Sequence, residues 1–329
     1  MSRARLGMVF FICATAAACS SNHAAAPAPA EDPDSTVLIG TTPAGGELSS
    51  VMGLTAVRDS PVKWRLTLRR EPGSEKPAGY ELRCDLEEPV PGSNGERTRQ
   101  SSREYKGKWE WGTGRVLDPL GVVVKLDLGL ALAQMNENVF HVLSRDRSLM
   151  IGSGGWSYTL QRESAAEPPV QESEVEFPPS DSYQLTPLAS GPAVFGVYVG
   201  RSPIKGIWRE LERPGPLDAM KAKWRLTLFK DLQTGAPTRY RIDATLYREG
   251  LMKRPQEPRE GEWKMSEHPT TKAVVFELGP WKAEPGITLL CGDENVLFFL
   301  DRQDKLMVGS ADFSYTLNRR EEAQTSAAK

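Results

Sequence analysis

The chain contains one pattern twice, which restricts the fold to two copies of a small domain. The first match, KWRLTL at residues 63–68, recurs without change after a shift of 160 residues. Chance does not produce so many matches in the same order, so the chain is a duplicated domain. The colinear matches are 63–68 (KWRLTL) with 223–228, 107–109 (GKW) with 261–263 (GEW), 126–129 (LDLG) with 276–279 (FELG), 149–153 (LMIGS) with 306–310 (LMVGS), and 157–160 (SYTL) with 314–317.

The repeat sets the domain boundaries at residues 37–162 and 183–320. A chain of 329 residues is long enough for two domains that each bury a core. Between them, residues 163–182 are rich in Glu, Pro and Ser and show no periodic apolar pattern. That composition is typical of a linker. Residues 321–329 form a short polar tail.

Each copy has the pattern of β-strands. In residues 63–68 apolar and polar residues alternate, the period of two expected when one face of a strand is buried. Clusters of Gly, Pro, Asn and Asp, such as residues 91–95 and 255–261, separate such runs as hairpin loops do. No segment of either copy shows a helical period with caps. The sequence predicts an all-β protein with two tandem, up-and-down antiparallel barrels, since closure removes exposed sheet edges. A two-sheet sandwich is the alternative.

Residues 1–18 have the parts of a secretory signal peptide. Arg3 and Arg5 precede the apolar run at residues 6–18, which is too short to span a bilayer. We therefore expect an exported protein.

Cys19 follows three alanines, an arrangement that resembles the bacterial lipobox. This resemblance implies that Cys19 carries a diacylglycerol and a further acyl chain such as palmitate, and such chains give stable membrane anchoring. Ala16 stands where the lipobox usually has Leu, so ordinary cleavage after Ala18 is the alternative. Residues 19–36 are predicted to form a Pro/Ala/Ser tether.

The residues give little support for catalysis or for nucleic-acid binding. Lys and Arg number 41 against 43 Asp and Glu, so the chain has no strong field to recruit nucleic acid. His23, His141 and His268 have no equivalent histidine in the other copy, and His141 aligns with Phe298. The chain has no nucleophile elbow, zinc-protease motif or phosphate-binding loop. We expect no enzyme activity, no catalytic residue, no bound metal and no cofactor.

Other polar and aromatic residues have structural interpretations. The carboxylates around Glu88 fit a solvated strand end or loop. Large aromatic side chains in a barrel either stack on a ligand or plug the interior, and their recurrence in both copies favours the second role. The recurring positions are Trp64 with Trp224 and Trp109 with Trp263, while Trp156 aligns with Phe313.

Cys84 and Cys291 are the cysteines that remain if Cys13 leaves with the signal peptide and Cys19 is acylated. In an oxidising compartment they are able to form a disulfide between the two halves. Their positions are not equivalent in the two copies, which slightly favours two buried, unpaired thiols. Neither has a second cysteine or a histidine at metal-ligand spacing.

The order of the motifs resembles the N-terminal domain of the NlpE family of copper-homeostasis envelope lipoproteins. The opening Gly-x-x-Pro stands at Gly40 and Pro43 and again at Gly200 and Pro203, and each copy closes with Y-T-L-x-R. The resemblance implies a small lipocalin-like barrel, tethered by lipid to the outer membrane. It also implies a role in surface sensing, envelope stress signalling or copper handling.

The chain departs from this family at the residues that suggest copper. The family has Pro-Cys-x-x-Cys at the opening, whereas no cysteine follows Pro43 or Pro203, so Cu(I) lacks its thiolate ligands. We expect a lipid-anchored, non-enzymatic sensor or interaction module with an envelope protein as its partner. A carrier of a small apolar ligand inside the barrels is the alternative, and copper homeostasis is a weaker third. Filled interiors with an exposed apolar patch favour the first, and an open cup favours the second.

Overall fold

The structure, a computed structural model, describes residues 32–54, 60–90, 92, 97–115, 118–167, 189–212, 219–248 and 253–320. The predicted signal peptide, Cys19, His23 and the polar tail lie outside these residues. So do residues 168–182 of the predicted linker.

The first copy forms a nine-stranded antiparallel sheet in the order β4-β3-β2-β1-β9-β8-β7-β6-β5. Neighbours in the sheet are neighbours in the chain except for the pair β1–β9, as in an up-and-down meander that curls round. The strands are β1 (Ser35–Pro43), β2 (Pro61–Arg70), β3 (Pro77–Pro89), β4 (Thr98–Gly107), β5 (Trp109–Arg115), β6 (Asp118–Leu126), β7 (Ala131–Gln134), β8 (Val139–Leu143) and β9 (Thr159–Arg162).

The two edge strands of this curled sheet, β4 and β5, are consecutive in the chain. Strand β4 ends at Gly107, opposite Tyr80 of β3, and β5 begins at Trp109, opposite Leu126 of β6. Only Lys108 separates the two strands, so β4 and β5 together occupy the place of one bent strand.

The second copy forms a sheet in the order β11-β10-β18-β17-β16-β15-β14-β12-β13, and the additional pair β11–β12 closes eight of its strands into a barrel. The prediction of an all-β protein with antiparallel barrels is therefore confirmed. The strands are β10 (Val194–Pro203), β11 (Ala219–Lys230), β12 (Pro237–Arg248), β13 (Lys253–Pro255), β14 (Arg259–Glu267), β15 (Val274–Leu278), β16 (Ile287–Cys291), β17 (Val296–Phe299) and β18 (Thr316–Arg319).

The described part of each copy includes one short α-helix, although the prediction was of strands without helices. Helix α1 (Gly46–Met52) follows β1, and helix α2 (Ile204–Glu210) follows β10. Neither has a capping hydrogen bond from a side chain, and α1 ends at Gly53 in the left-handed conformation that glycine allows. The apolar residues that anchor the second helix nevertheless have helical spacing: Ile204, Ile207, Trp208 and Leu211. Among the described residues, no helix has the length and apolar character needed to cross a membrane.

The register of the strands corrects one part of the repeat alignment. Trp109 lies opposite Leu126, and the equivalent Trp263 lies opposite Leu278. Leu126 is therefore equivalent to Leu278, not to Phe276 as the sequence match indicated. The loop that follows β15 is longer than the loop that follows β6. The matching residues 126–129 and 276–279 therefore occupy different positions along the strands of the two barrels.

The two barrels are joined by a buried apolar cluster to which both contribute. In β8 and β17 every residue is buried, because one face packs into its own barrel and the other against the neighbouring barrel. The members of the junction cluster are Val123, Ala133, Val139, Leu143 and Leu149 from the first copy, with Val275, Val296, Phe298, Leu300 and Leu306 from the second.

Residues in equivalent positions of the two copies face one another across this junction. The rings of Trp156 and Phe313 are stacked, with centroids 5.5 Å apart and planes 8° from parallel. The hydroxyl oxygens of Thr159 and Thr316 lie 3.0 Å apart. A residue that contacts its own counterpart lies on the axis that relates the copies, so the barrels pack about a pseudo-two-fold axis.

His141 belongs to the same junction and is fully buried. Its Nε2 lies 2.9 Å from the carbonyl oxygen of Met150, and its Nδ1 lies 2.9 Å from Thr159 Oγ1. A carbonyl oxygen only accepts, so Nε2 donates, and in the neutral ring Nδ1 then accepts from the Thr159 hydroxyl. The ring also packs edge to face on its counterpart Phe298, with centroids 5.6 Å apart. His141 is therefore a packing residue of the junction.

Candidate functional site

The glycines of the opening motif lie where the first strand of each copy passes close to the last. A Cβ on Gly40 would lie 2.7 Å from Leu160 Cδ2 and 2.8 Å from the carbonyl oxygen of Thr159. A Cβ on Gly200 would lie 2.3 Å from the carbonyl oxygen of Thr316. Only glycine permits this approach, so these motif residues serve the closure of the barrels.

The prolines of the motif end β1 and β10 and are buried before the short helices. The residue before each proline accepts a hydrogen bond from a tryptophan. Trp64 Nε1 donates to Thr42 Oγ1 and Trp224 Nε1 donates to Ser202 Oγ, each over 2.8 Å. The opening motif thus joins the first two strands of each copy, and this geometry supports a structural role for Trp64 and Trp224.

The second recurring pair of tryptophans is bound in the same way. Trp109 Nε1 donates to the carbonyl oxygen of Arg69 over 2.8 Å, and Trp263 Nε1 donates to that of Phe229 over 2.7 Å. Both indole rings are buried with their N–H groups satisfied, which fixes their orientation. The arrangement supports the interpretation that these aromatics plug the barrels.

In the described part of the chain, apolar side chains pack together inside each barrel. The first contains a contiguous cluster of buried residues that reaches from Leu38 to Leu160, and the second contains one from Tyr198 to Leu317. Beside α1 the surface has a cleft of about 210 Å³, lined by residues that include Glu47, Leu130 and Arg145. Small-molecule sites usually have volumes of about 300–1,000 Å³, so this cleft is small for a carried ligand.

Cys84 and Cys291 are free thiols in different barrels. Burial in β3 raises the pKa of the Cys84 thiol far above its ordinary value. Burial also raises the pKa of Cys291, to about 11, and its Sγ donates to the carbonyl oxygen of Asp293 over 3.1 Å. The thiolate is the reactive form of cysteine, so both groups are held in their unreactive state.

Glu88 lies at a strand end, one of the two predicted positions, but it is not solvated there. It is in β3 with only 4% of its side chain exposed, and it pairs with Arg103 at 2.5 Å and Arg99 at 3.4 Å. The hydrogen bond from Arg103 is the main cause of the lowered pKa of Glu88. The two arginines belong to β4, so this cluster joins β3 to β4.

The described residues contain no group of three or more His, Cys, Asp or Glu arranged to hold a metal ion. His268 uses Nε2 to donate to the carbonyl oxygen of Asp304 at 2.9 Å, while Nδ1 accepts from Thr271 N at 3.2 Å. Like His141, it is bound into local structure.

An exposed apolar pair lies at the edge of the first barrel. Trp111 is 41% exposed and Val122 is 43% exposed, on adjacent strands β5 and β6. Trp111 lies opposite the core residue Val124, and Val122 is two residues before Val124 on the same strand. The side chains of all three therefore lie on one face of the sheet. The Trp111 ring packs edge-on against Trp109, with centroids 4.9 Å apart.

The second barrel exposes an apolar pair at the equivalent positions. Met265 and Val274 are each 45% exposed on β14 and β15. Met265 lies opposite Phe276, and Val274 is two residues before Phe276 on the same strand. Trp111 and Val122 have the same arrangement in the first barrel. We call Trp111 with Val122, and Met265 with Val274, the rim pairs. They are the candidate interaction site.

Comparison with known proteins identifies no relative of this chain: no family model, no curated protein and no solved structure matches it. Its function is therefore argued from its own residues and their geometry.

Proposed function

We propose that this chain is a non-enzymatic interaction module of the NlpE-like type that acts as a sensor in the cell envelope. The observation that carries the proposal is that two barrels with packed apolar cores each present a rim pair at the same position. Exposed apolar side chains beside a packed core favour a protein contact over a carried ligand.

The rim pairs have the chemistry of a contact site. Tryptophan is one of the residues most often found at the energetic centre of protein interfaces, and Trp111 is already held on one side by Trp109. A preoriented ring loses little conformational freedom when a partner covers it. The second pair, Met265 with Val274, offers a flexible apolar surface of similar size.

The junction between the barrels supports a bivalent contact. The buried cluster of the junction and the stacked rings of Trp156 and Phe313 hold the two barrels together. The two rim pairs are thereby kept at a fixed separation, and a partner that contacts one pair meets the second at high effective concentration.

Attachment to the envelope is supported by the sequence of the N-terminus. We propose that a lipid on Cys19 anchors the chain, most simply in the outer membrane. Growth with an alkyne analogue of palmitate is expected to label the full chain, and Cys19→Ser is expected to abolish that label. A labelled Cys19→Ser chain would reject the anchor while leaving the interaction role open.

The proposed partner contact is tested by a photo-crosslinking residue placed singly at Trp111 or Met265 of the full chain in the cells that make it. The matched control is Leu232, which is 64% exposed but lies in a hairpin without a counterpart of this kind. We expect a discrete protein adduct at both rim positions and none at Leu232. Equal labelling at all three positions, or none at the rim pairs, would reject the proposal.

The carrier and copper alternatives are tested by native mass spectrometry of the mature chain, with Cu(I) added in a second run. A small molecule of defined mass that copurifies would favour the carrier. Stoichiometric uptake of Cu(I) would favour copper homeostasis. A chain of unchanged mass in both runs is the result that the interaction role predicts.

A further inference from the structure

A buried tyrosine in the second barrel binds a side chain from the segment that follows the first barrel. Tyr315, in the turn before β18, accepts a hydrogen bond from the backbone N–H of Gly206 over 3.0 Å. Its hydroxyl donates to Glu167 Oε1 over 2.7 Å. The tyrosine is almost completely buried, so its hydroxyl is a fixed group that recognises whichever acceptor stands beside it.

The backbone of the same segment is also bound to the second barrel. After a short 3-10 helix (Glu163–Ala165), the chain extends, and Glu167 N donates to the carbonyl oxygen of Gly309 over 2.8 Å. Glu167 forms a parallel β-bridge with Ser310. The bridge is a single one outside the named strands, but it combines backbone pairing with one inserted side chain, the two elements by which extended peptides are recognised.

Two cations of α2 act on this carboxyl group by their charge, and one of them, Arg209, also lies 3.4 Å from the carboxylate of Glu210. Lys205 and Arg209 are both exposed, and each lowers the pKa of Glu167 by its charge. Burial raises that pKa more than the hydroxyl of Tyr315 and the two cations lower it. The two cations therefore attract the carboxylate of an approaching glutamate. Burial of that carboxylate beside Tyr315 disfavours its ionised form, so an ionised Glu167 is easier to displace.

The site is specific to the second copy and shaped for this contact. A Cβ on Gly206 would lie 2.2 Å from Tyr315 Oη, so glycine is needed to admit the hydroxyl beneath α2. At the same places in the first copy, after the shift of 160 residues, stand Gly45 and Ser49 instead of Lys205 and Arg209. The first copy has the same tyrosine, Tyr158, without this pair of cations.

We propose that Tyr315, Lys205, Arg209 and the backbone of Gly309 and Ser310 form a binding site for an extended segment that carries a glutamate. In this structure the chain's own segment, residues 163–167, occupies the site. A partner protein gains access when its own glutamate-bearing segment replaces that of the chain. The inference rests on the proposed function for the existence of a partner, and it adds the chemistry by which that partner is recognised. We call these five residues the glutamate site.

The test is binding of a fluorescein-labelled peptide, ESAAEPPV (residues 163–170), to the purified mature chain, followed by fluorescence anisotropy. Glu167→Ala vacates the site in the chain itself. Because a bound internal segment lowers the fraction of open sites, we expect the vacated chain to bind the peptide about tenfold more tightly than the unmodified chain. The same peptide with alanine in place of its second glutamate is expected to bind neither chain.

A second variant tests the side chains of the site without disturbing the core. Arg209 is exposed, and Arg209→Ala in the vacated chain is expected to weaken peptide binding several-fold. Lys282→Ala, an exposed lysine elsewhere on the second barrel, is the matched control and is expected to change nothing. Circular dichroism checks that each variant is folded.

Equal binding by the vacated and unmodified chains would overturn the glutamate site, as would absence of binding by both. Tight binding of the alanine peptide would overturn it as well. None of these results bears on crosslinking at the rim pairs, so failure here is distinguishable from failure of the proposed function.

Discussion

Trp156 and Phe313 stand at the same position of the two copies and stack on each other at 5.5 Å across the pseudo-two-fold axis. A cation covers the outer side of each ring: Arg201 lies 4.7 Å from the centroid of Trp156, and Lys221 lies 4.9 Å from that of Phe313. The four side chains form one stack in which both rings are desolvated and both cations are oriented. This stack is a contact between the two barrels in addition to the apolar cluster of the junction.

We predict that Phe313→Ala lowers the free energy of unfolding by about 3–5 kcal/mol, because it leaves a cavity beside Trp156 in the junction. Urea denaturation followed by tryptophan fluorescence measures the change. Leu232→Ala, at an exposed hairpin position, is expected to change stability by less than about 0.5 kcal/mol. Equal effects of the two substitutions would show that the junction does not stabilise the chain.

The two motif glycines are predicted to tolerate alanine poorly, and unequally. In Gly200→Ala the new methyl meets a backbone oxygen at 2.3 Å, whereas in Gly40→Ala its nearest neighbour is the movable end of Leu160 at 2.7 Å. Crowding of this kind costs about 1–3 kcal/mol, and Gly200→Ala is expected to lie at the upper end. Thermal unfolding, with Thr238→Ala on the exposed side of β12 as the control, ranks the two variants. A stabilising effect of either alanine would contradict the close approach.

Glu88 is predicted to make part of the stability depend on acid pH. Its pKa is lowered from 4.5 in the folded chain, mainly by the hydrogen bond from Arg103. The stabilisation is therefore present above pH 4.5 and lost as pH falls through the lower pKa of the folded state. The difference in unfolding free energy between the unmodified chain and Glu88→Gln is expected to shrink over that range. A difference that grows as pH falls would have the wrong sign.

Glu167 is predicted to show the opposite dependence. Its pKa is raised above 4.5 in the bound state, mainly by burial. Binding of the segment is therefore strongest below pH 4.5 and weakens as pH rises through the raised pKa. In the anisotropy assay with the vacated chain, ESAAEPPV is expected to bind more tightly at pH 5 than at pH 7.5. A peptide with glutamine in place of the second glutamate serves as the control, since its side chain does not titrate.

The two cysteines are predicted to stay reduced and slow to react. Burial raises the pKa of both thiols, so little thiolate is present at neutral pH. Mass spectrometry after iodoacetamide treatment of the folded chain is expected to show slow labelling of Cys291 and still slower labelling of Cys84. Both are expected to react at once in urea. A mass consistent with a disulfide between them would contradict the arrangement of free thiols.

The repeat predicted two copies of one domain, and the alternation within residues 63–68 predicted strands with one buried face. The choice of barrels over a two-sheet sandwich depended on the further argument that closure removes exposed sheet edges. The junction between the barrels also has a signal in the sequence. In β8 and β17 apolar residues run without alternation, as they do in strands buried on both faces. The regular alternation in β2 shows the contrast within the same chain.

Other features had no comparable signal. Helix α2 has apolar residues at helical spacing, but about two turns without a capping side chain are too short a pattern to predict a helix. Glu167 lies in a segment with the composition of a linker, and its contact with Tyr315 joins residues that are far apart in the chain. Such a contact depends on the completed second barrel. The rim pairs are ordinary strand residues in the sequence, and their exposure follows from where each barrel interior ends.

The pseudo-two-fold junction has a consequence for how the two halves can diverge. In a complex of two identical subunits, a residue on the axis always meets its own kind, and every substitution there is made twice. With both halves in one chain, each side of the axis varies alone, and His141 facing Phe298 is a pairing that identical subunits cannot make. Covalent fusion has thereby turned a symmetric surface into two distinguishable ones, so that one half is free to specialise while the other preserves the fit.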